Sequence, residues 1–258
     1  MIPLYDNVPT RRFPVVTWSI IAVNVVFFIF ELVLPINGIG LESFIYRTGV
    51  TPYELRHLVD VPPPDLVPLW LTPFTSLFVH GGFLHIIFNM LFFWIFGNNV
   101  EDAMGRLKFL AFYLACGLAA DLSQAVIDLD GRVPTIGASG AIAGVMGAYI
   151  VLYPRAKVLS VLPIFVFIQF IWVPAWVLLL IWFVLQLISG LDALGGQAVD
   201  VAYFAHIGGF TAGLALVFLF VPAARRRRGG AAPDDLYEEA DLLAPFAPSR
   251  GRSSPPGS

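Results

Sequence analysis

The chain has 258 residues, of which 58% are hydrophobic and 13% charged, with a formal net charge of −3 and a mean hydropathy of +0.80. Soluble domains are about 45–50% apolar and about 25% charged, so this composition excludes a disordered chain, a basic nucleic-acid binder and a disulfide-stapled secreted module. The single cysteine, Cys116, has no intrachain partner, and what remains is a polytopic membrane protein.

Crossing a hydrocarbon core about 30 Å thick takes about 20 mostly apolar residues. Met1 to Phe13 is too short and too polar for a cleavable leader, so residues 1–13 read as an N-terminal segment ahead of a retained first span. That span is Val15–Leu34, followed by a long Pro-rich loop over residues 35–71. The second span is predicted from Ser76 to Phe96, the third from Leu107 to Ile127 and the fourth from Ala138 to Tyr153. The fifth is the long run Val158–Ile188, with a late start and a kink expected from Pro163 and Pro174. The sixth is Val201–Val221, which closes a membrane domain over residues 14–222. Residues 223–258 are rich in Pro, Gly, Ser and acidic side chains and read as a disordered tail.

Basic residues sort between alternate loops. Arg11, Arg12, Arg106, Lys108, Arg155, Lys157 and the run Arg225 to Arg228 lie on one side. Only Arg47, Arg56 and Arg132 lie on the other, among acidic residues such as Glu42, Glu54, Asp60, Asp65 and Asp128. The positive-inside rule then places both termini in the cytoplasm, as six spans require.

Strongly polar groups inside a span are costly and are functional candidates by default. Ser139 lies about 14 residues before the fourth span ends, roughly 21 Å along a helix, and His206 lies roughly 22 Å from the end of the sixth. Two helices running the same way thus bring a hydroxyl and an imidazole to one depth. A serine hydroxyl becomes a useful nucleophile when a base within hydrogen-bond reach takes its proton, and histidine is the usual base. Ser139 also sits in Gly137-Ala138-Ser139-Gly140 at a helix start, where free N–H groups favour an oxyanion. His85 and Asn89, four residues apart on one face of the second span, are further candidate oxyanion donors. Asp121, roughly 20 Å up the third span, is open to two readings. It is a third acid for His206, or a group that faces a water-filled cavity and caps the outer end with Ser123 and Gln124. Glu31 reads as snorkelling, His80 as structural and His57 as a loop residue.

Four motifs in order carry a resemblance to the rhomboid family of intramembrane serine proteases. His80-Gly81-Gly82-Phe83-Leu84-His85 with Asn89 resembles the family's HGG-x-xH-xxx-N signature, and Phe96-Gly97-Asn98-Asn99-Val100-Glu101 its FG-xx-VE stretch. Gly137 to Gly140 is similar to the GASG nucleophile motif, and Ala205-His206-Ile207-Gly208-Gly209 with Gly213 to the AH-xx-G-xxx-G helix. The resemblance covers about Thr72 to Val221.

It implies an all-α, six-span rhomboid-like bundle of the bacterial type in the inner membrane. It also implies a Ser139 nucleophile with His206 as general base and acid, oxyanion donors at His85 and Asn89, and an acyl-enzyme. No cofactor or metal is implied. The partners are transmembrane protein substrates and the lipid bilayer, with no nucleic acid. The family's substrate gate maps onto the fifth span and Ser189–Asp200. Two positions depart from the pattern. The residue four after Ser139, aromatic in many members and stacked on the histidine, is Ala143, and Trp70 is followed by Leu71 where some members have Trp-Arg. A catalytically silent helix-binding relative would be expected to lack Ser139 or His206, and a small transporter to show symmetric halves; neither feature is present.

Overall fold

A helix satisfies its own backbone polar groups, which is why apolar runs of this length fold as helices in hydrocarbon. The computed structural model describes residues 1–33, 40–164, 167–194 and 201–223. Strand β1 (Ile2–Asp6) precedes helix α1 (Val15–Val33). Short helices α2 (Leu41–Tyr46), α3 (Pro52–His57) and α4 (Thr72–Thr75) follow, with 3-10 turns at Leu69–Leu71 and Ser76–Phe78. Then come α5 (Phe83–Met104), α6 (Arg106–Ile127) and α7 (Ser139–Leu152). Strands β2 (Lys157–Ile164) and β3 (Phe167–Pro174) lead into α8 (Ala175–Leu194), and α9 (Tyr203–Phe220) closes the bundle.

Among the described residues, α1, α5, α6, α8 and α9 are long and apolar enough to cross a membrane. Helix α7, with 14 residues, is shorter, about 21 Å at 1.5 Å per residue. It is also the most enclosed, packed by α5, α6 and α9. Its contact with α9 is backbone to backbone: a methyl on Gly209 would overlap the Gly140 carbonyl, and one on Gly213 the Gly144 carbonyl. Large aliphatic and aromatic side chains such as Phe27, Ile29, Trp94, Leu122, Leu180 and Leu185 cover the outside. That surface suits lipid, in which burial of apolar groups between helices gains nothing over contact with acyl chains.

Two expected boundaries are corrected. The fifth span starts late, as its prolines lead one to expect, but as late as Ala175: ahead of it β2 pairs antiparallel with β3, and β1 adds to the other edge of β2 to make the order β1-β2-β3. A short, continuously apolar run does not distinguish strand from helix by periodicity, and the helix begins only after Pro174. The second span starts at Phe83 rather than Ser76 and runs on through polar residues to Met104. Those polar residues have partners. Glu101 accepts hydrogen bonds from the Val16 and Thr17 N–H groups at 3.0 and 2.8 Å and from the Thr17 hydroxyl at 2.8 Å, so it caps α1 with a carboxylate at the positive end of the helix. Asn99 donates to Asp6 at 2.6 Å.

Glu31 does not snorkel. It is buried and accepts the backbone N–H of His80 at 3.0 and 3.2 Å, which ties α1 to the turn before α5. At the end of the bundle away from the sheet, Val50 bridges to Thr135, so the α2–α3 segment is anchored beside the entry to α7. Leu34, residues 35–39, Gly195–Asp200, the tetra-Arg run and the acidic tail lie outside the described residues.

Candidate active site

Three helices that run in the same direction start side by side at the end away from the sheet. Ser139 is the first residue of α7, His85 the third of α5 and His206 the fourth of α9. This shared level brings the two candidate reacting groups together: His206 Nε2 lies 2.7 Å from Ser139 Oγ. The close α7–α9 approach at Gly209 and Gly213 holds them there, because no side chain separates the two backbones.

Gly137 enters α7 with φ +102, a conformation that L side chains rarely adopt. Its amide donates to the Ser76 carbonyl at 2.8 Å. A Cβ at Gly137 would come within 2.5 Å of His85 Nε2 and 3.7 Å of Asn89 Nδ2, so both side chains from α5 converge on the backbone two residues before Ser139. Ser139 N–H lies in the first turn of α7, where amides have no intrahelical acceptor. Two side-chain nitrogens and one backbone amide therefore surround the space beside the Ser139 hydroxyl.

These residues line a cavity of about 1270 Å³ that also receives Asp121, Gln124, Trp182 and Tyr203. Asp121 is buried, and its Oδ2 has no hydrogen-bond partner among the described residues. The imidazole of His206 is bonded elsewhere, so Asp121 does not occupy the third position of a triad; it faces the cavity. Gln124 accepts the Ala205 N–H at 3.3 Å, which joins α6 to the start of α9. Ser123 bonds within its own helix, to the Ala119 carbonyl at 2.7 Å.

A residue absent from the sequence-based candidates is Gln186 of α8, whose Oε1 lies 2.8 Å from His206 Nδ1. One turn earlier on α8, the Trp182 ring lies 5.8 Å from the imidazole, tilted by 39°. Ala143 is fully buried beneath the site and offers His206 no ring. The two groups that touch the far side of the imidazole come from α8 instead. A signal for Gln186 existed: it is an amide within the apolar run Trp176 to Ile188, at i+4 from Trp182.

The family model described as Rhomboid domain matches residues 69–223. The putative rhomboid protease YdcA of Bacillus subtilis is 31% identical over 140 residues, which cover 54% of this chain and 63% of that protein. Rhomboid protease GluP of the same organism is 38% identical over 88 residues, 33% of this chain and 17% of that one. Rhomboid-type serine protease 2 of Emericella nidulans is 31% identical over 186 residues, 70% of this chain and 33% of that one. The matched segments span less than two thirds of each relative's own length.

Proposed function

The chain belongs to the rhomboid family, and on that premise we propose that it is an intramembrane serine endopeptidase that hydrolyses peptide bonds in or near transmembrane segments of membrane-protein substrates. The observation that carries this reading is the 2.7 Å contact between Ser139 Oγ and His206 Nε2, set in a cavity with candidate oxyanion donors on one side.

In this mechanism the Ser139 hydroxyl gives its proton to His206 Nε2 as Oγ attacks the scissile carbonyl carbon. The carbonyl oxygen takes the electron pair and is held by the Ser139 N–H, His85 and Asn89. As the intermediate collapses, the imidazolium returns the proton to the leaving amine, and an acyl-enzyme remains on Ser139. Water then enters through the cavity, gives a proton to His206 and attacks the ester carbonyl, which releases the acid and restores the hydroxyl. Water is the reactant that a bilayer lacks, and this is the reason for a dyad at the first turns of α7 and α9, beside a cavity lined by Asp121 and Gln124.

The basic residues at the sheet end of the bundle support an orientation with both termini cytoplasmic and the cavity facing outward, in a bacterial inner membrane. The chain's substrates are transmembrane proteins reached through the bilayer, and the active unit needs no cofactor.

The test is labelling by a serine-directed fluorophosphonate in detergent. Wild type is expected to label, and Ser139→Ala and His206→Ala to lose both labelling and cleavage of a reporter membrane substrate while keeping helical content. Labelling that persists in Ser139→Ala would remove the nucleophile assignment.

A further inference from the structure

We propose that Gln186 is the positioning residue for His206, and that α8 therefore takes the orienting role for which α7 has no side chain. This inference rests on the serine-protease reading above. A carbonyl oxygen only accepts hydrogen bonds. With Gln186 Oε1 2.8 Å from Nδ1, Nδ1 carries the ring hydrogen, and Nε2 presents its lone pair to the Ser139 hydroxyl 2.7 Å away. That tautomer is the one able to accept the serine proton; the other would point an N–H at the nucleophile. The same bond fixes the ring's rotation and stabilises the imidazolium that forms during attack.

The placement follows from the helix. Trp182, Gln186 and Gly190 recur every four residues and so share one face of α8. Gly190 lies against Tyr203 and Phe204 at the start of α9, while Trp182 lies beside the His206 ring. Gln186 between them has to meet α9 at the level of His206. Eleven residues beyond Ala175, it lies about 17 Å along α8, near the level of the dyad. An amide on an otherwise apolar stretch of span costs free energy unless it is bonded, and here its partner is the candidate base. The fully buried Ala143 leaves this role to α8.

The titratable groups that share the cavity with His206 are His85 from α5, Asp121 from α6, Asp128 at the end of α6 and Tyr203 on its own helix. None of them contacts Nδ1, so a change at Gln186 acts on the ring through that nitrogen. The experiment compares fluorophosphonate labelling rates of wild type, Gln186→Met and Gln186→Glu over pH 5 to 9. Gln186→Met keeps the side-chain length without an acceptor, and labelling is expected to slow by roughly tenfold or more, a part of the 10²–10⁴ that a positioned base contributes. Gln186→Glu keeps the acceptor, so its rate is expected to recover towards wild type. Its acid limb is expected at higher pH, because a carboxylate beside the ring favours the imidazolium. Equal slowing in both variants, or wild-type rates and an unchanged limb in Gln186→Met, would overturn the assignment while leaving the dyad reading intact. A wild type that labels no faster than Ser139→Ala would instead remove the serine-protease reading, and this inference with it.

Discussion

His85 Nε2 and Asn89 Nδ2 reach the same stretch of backbone because they lie one helical turn apart and α5 starts level with α7. A donor aimed at developing negative charge acts mainly on the chemical step, so His85→Ala and Asn89→Ala are each expected to lower kcat by about 10²–10³ with little change in KM. Steady-state cleavage of a reporter substrate measures this, and unchanged kcat in both would make them packing residues. Gly137→Ala tests the same geometry from the backbone side. At φ +102 with His85 Nε2 2.5 Å from the added methyl, the substitution has to displace the imidazole or the loop, and a kcat loss at least as large as that of His85→Ala is expected. Much of this site is legible in the sequence, since depth counting alone puts Ser139 and His206 at one level. Gln186 carries a weaker signal, an amide inside an apolar run at i+4 from Trp182, and only the packing of α8 on α9 reveals that this face meets His206.

Helix α7 is short, and its position depends on glycines that let α9 touch its backbone. At Gly213 a larger side chain would meet the Gly144 carbonyl and α-carbon of α7, which cannot rotate away as a flexible side chain would. Gly213→Val is therefore expected to destabilise the bundle by at least the ~1–3 kcal/mol of an overpacked core, read from the denaturant midpoint in detergent, and to lower fluorophosphonate labelling along with it. Helix α8 is the opposite case, the least buried of the five long helices. An ideal Cβ at Gly190 lies 3.4 Å from the Tyr203 Cβ, near the separation a disulfide bridges. The oxidised double variant Gly190→Cys/Tyr203→Cys is expected to label at the rate of its reduced form, because α8 seated on α9 is the arrangement that orients His206. Loss of labelling on oxidation would mean that α8 has to move before Ser139 is reached. The hairpin ahead of α8 was illegible for a physical reason. Val158–Pro174 is apolar on both faces, and a doubly apolar strand carries no alternation to separate it from a span.

At the scale of the whole molecule, the three-stranded sheet gathers the N-terminus, the end of α7 and the start of α8 at one end of the bundle. Asp6 is the knot. It ends β1, accepts from Asn99 of α5 at 2.6 Å and also from the Tyr149 hydroxyl of α7. Burial pushes its pKa up to about 7, against the lowering effect of its hydrogen bonds to Tyr149, to the backbone and to Asn99. Folding therefore strengthens proton binding at this carboxyl. Between its ordinary pKa of 3.8 and about 7, the unfolded chain holds fewer protons there than the folded one, so this group's contribution to stability falls as pH rises through that window and levels off above it. Other carboxylates titrate in the same range, Asp65 among them, pushed up to about 7 by burial and by Glu54 and Asp60. The difference between wild type and Asp6→Asn isolates the one group. Asp6→Asn keeps a side-chain acceptor and cannot ionise, so its Tm relative to wild type is expected to rise from pH 5 to pH 8, with most of the change below pH 7. A Tm difference that stays constant with pH would mean that Asp6 is ionised alike in the folded and unfolded chain, and that the sheet is held to the bundle by backbone pairing rather than by this carboxyl.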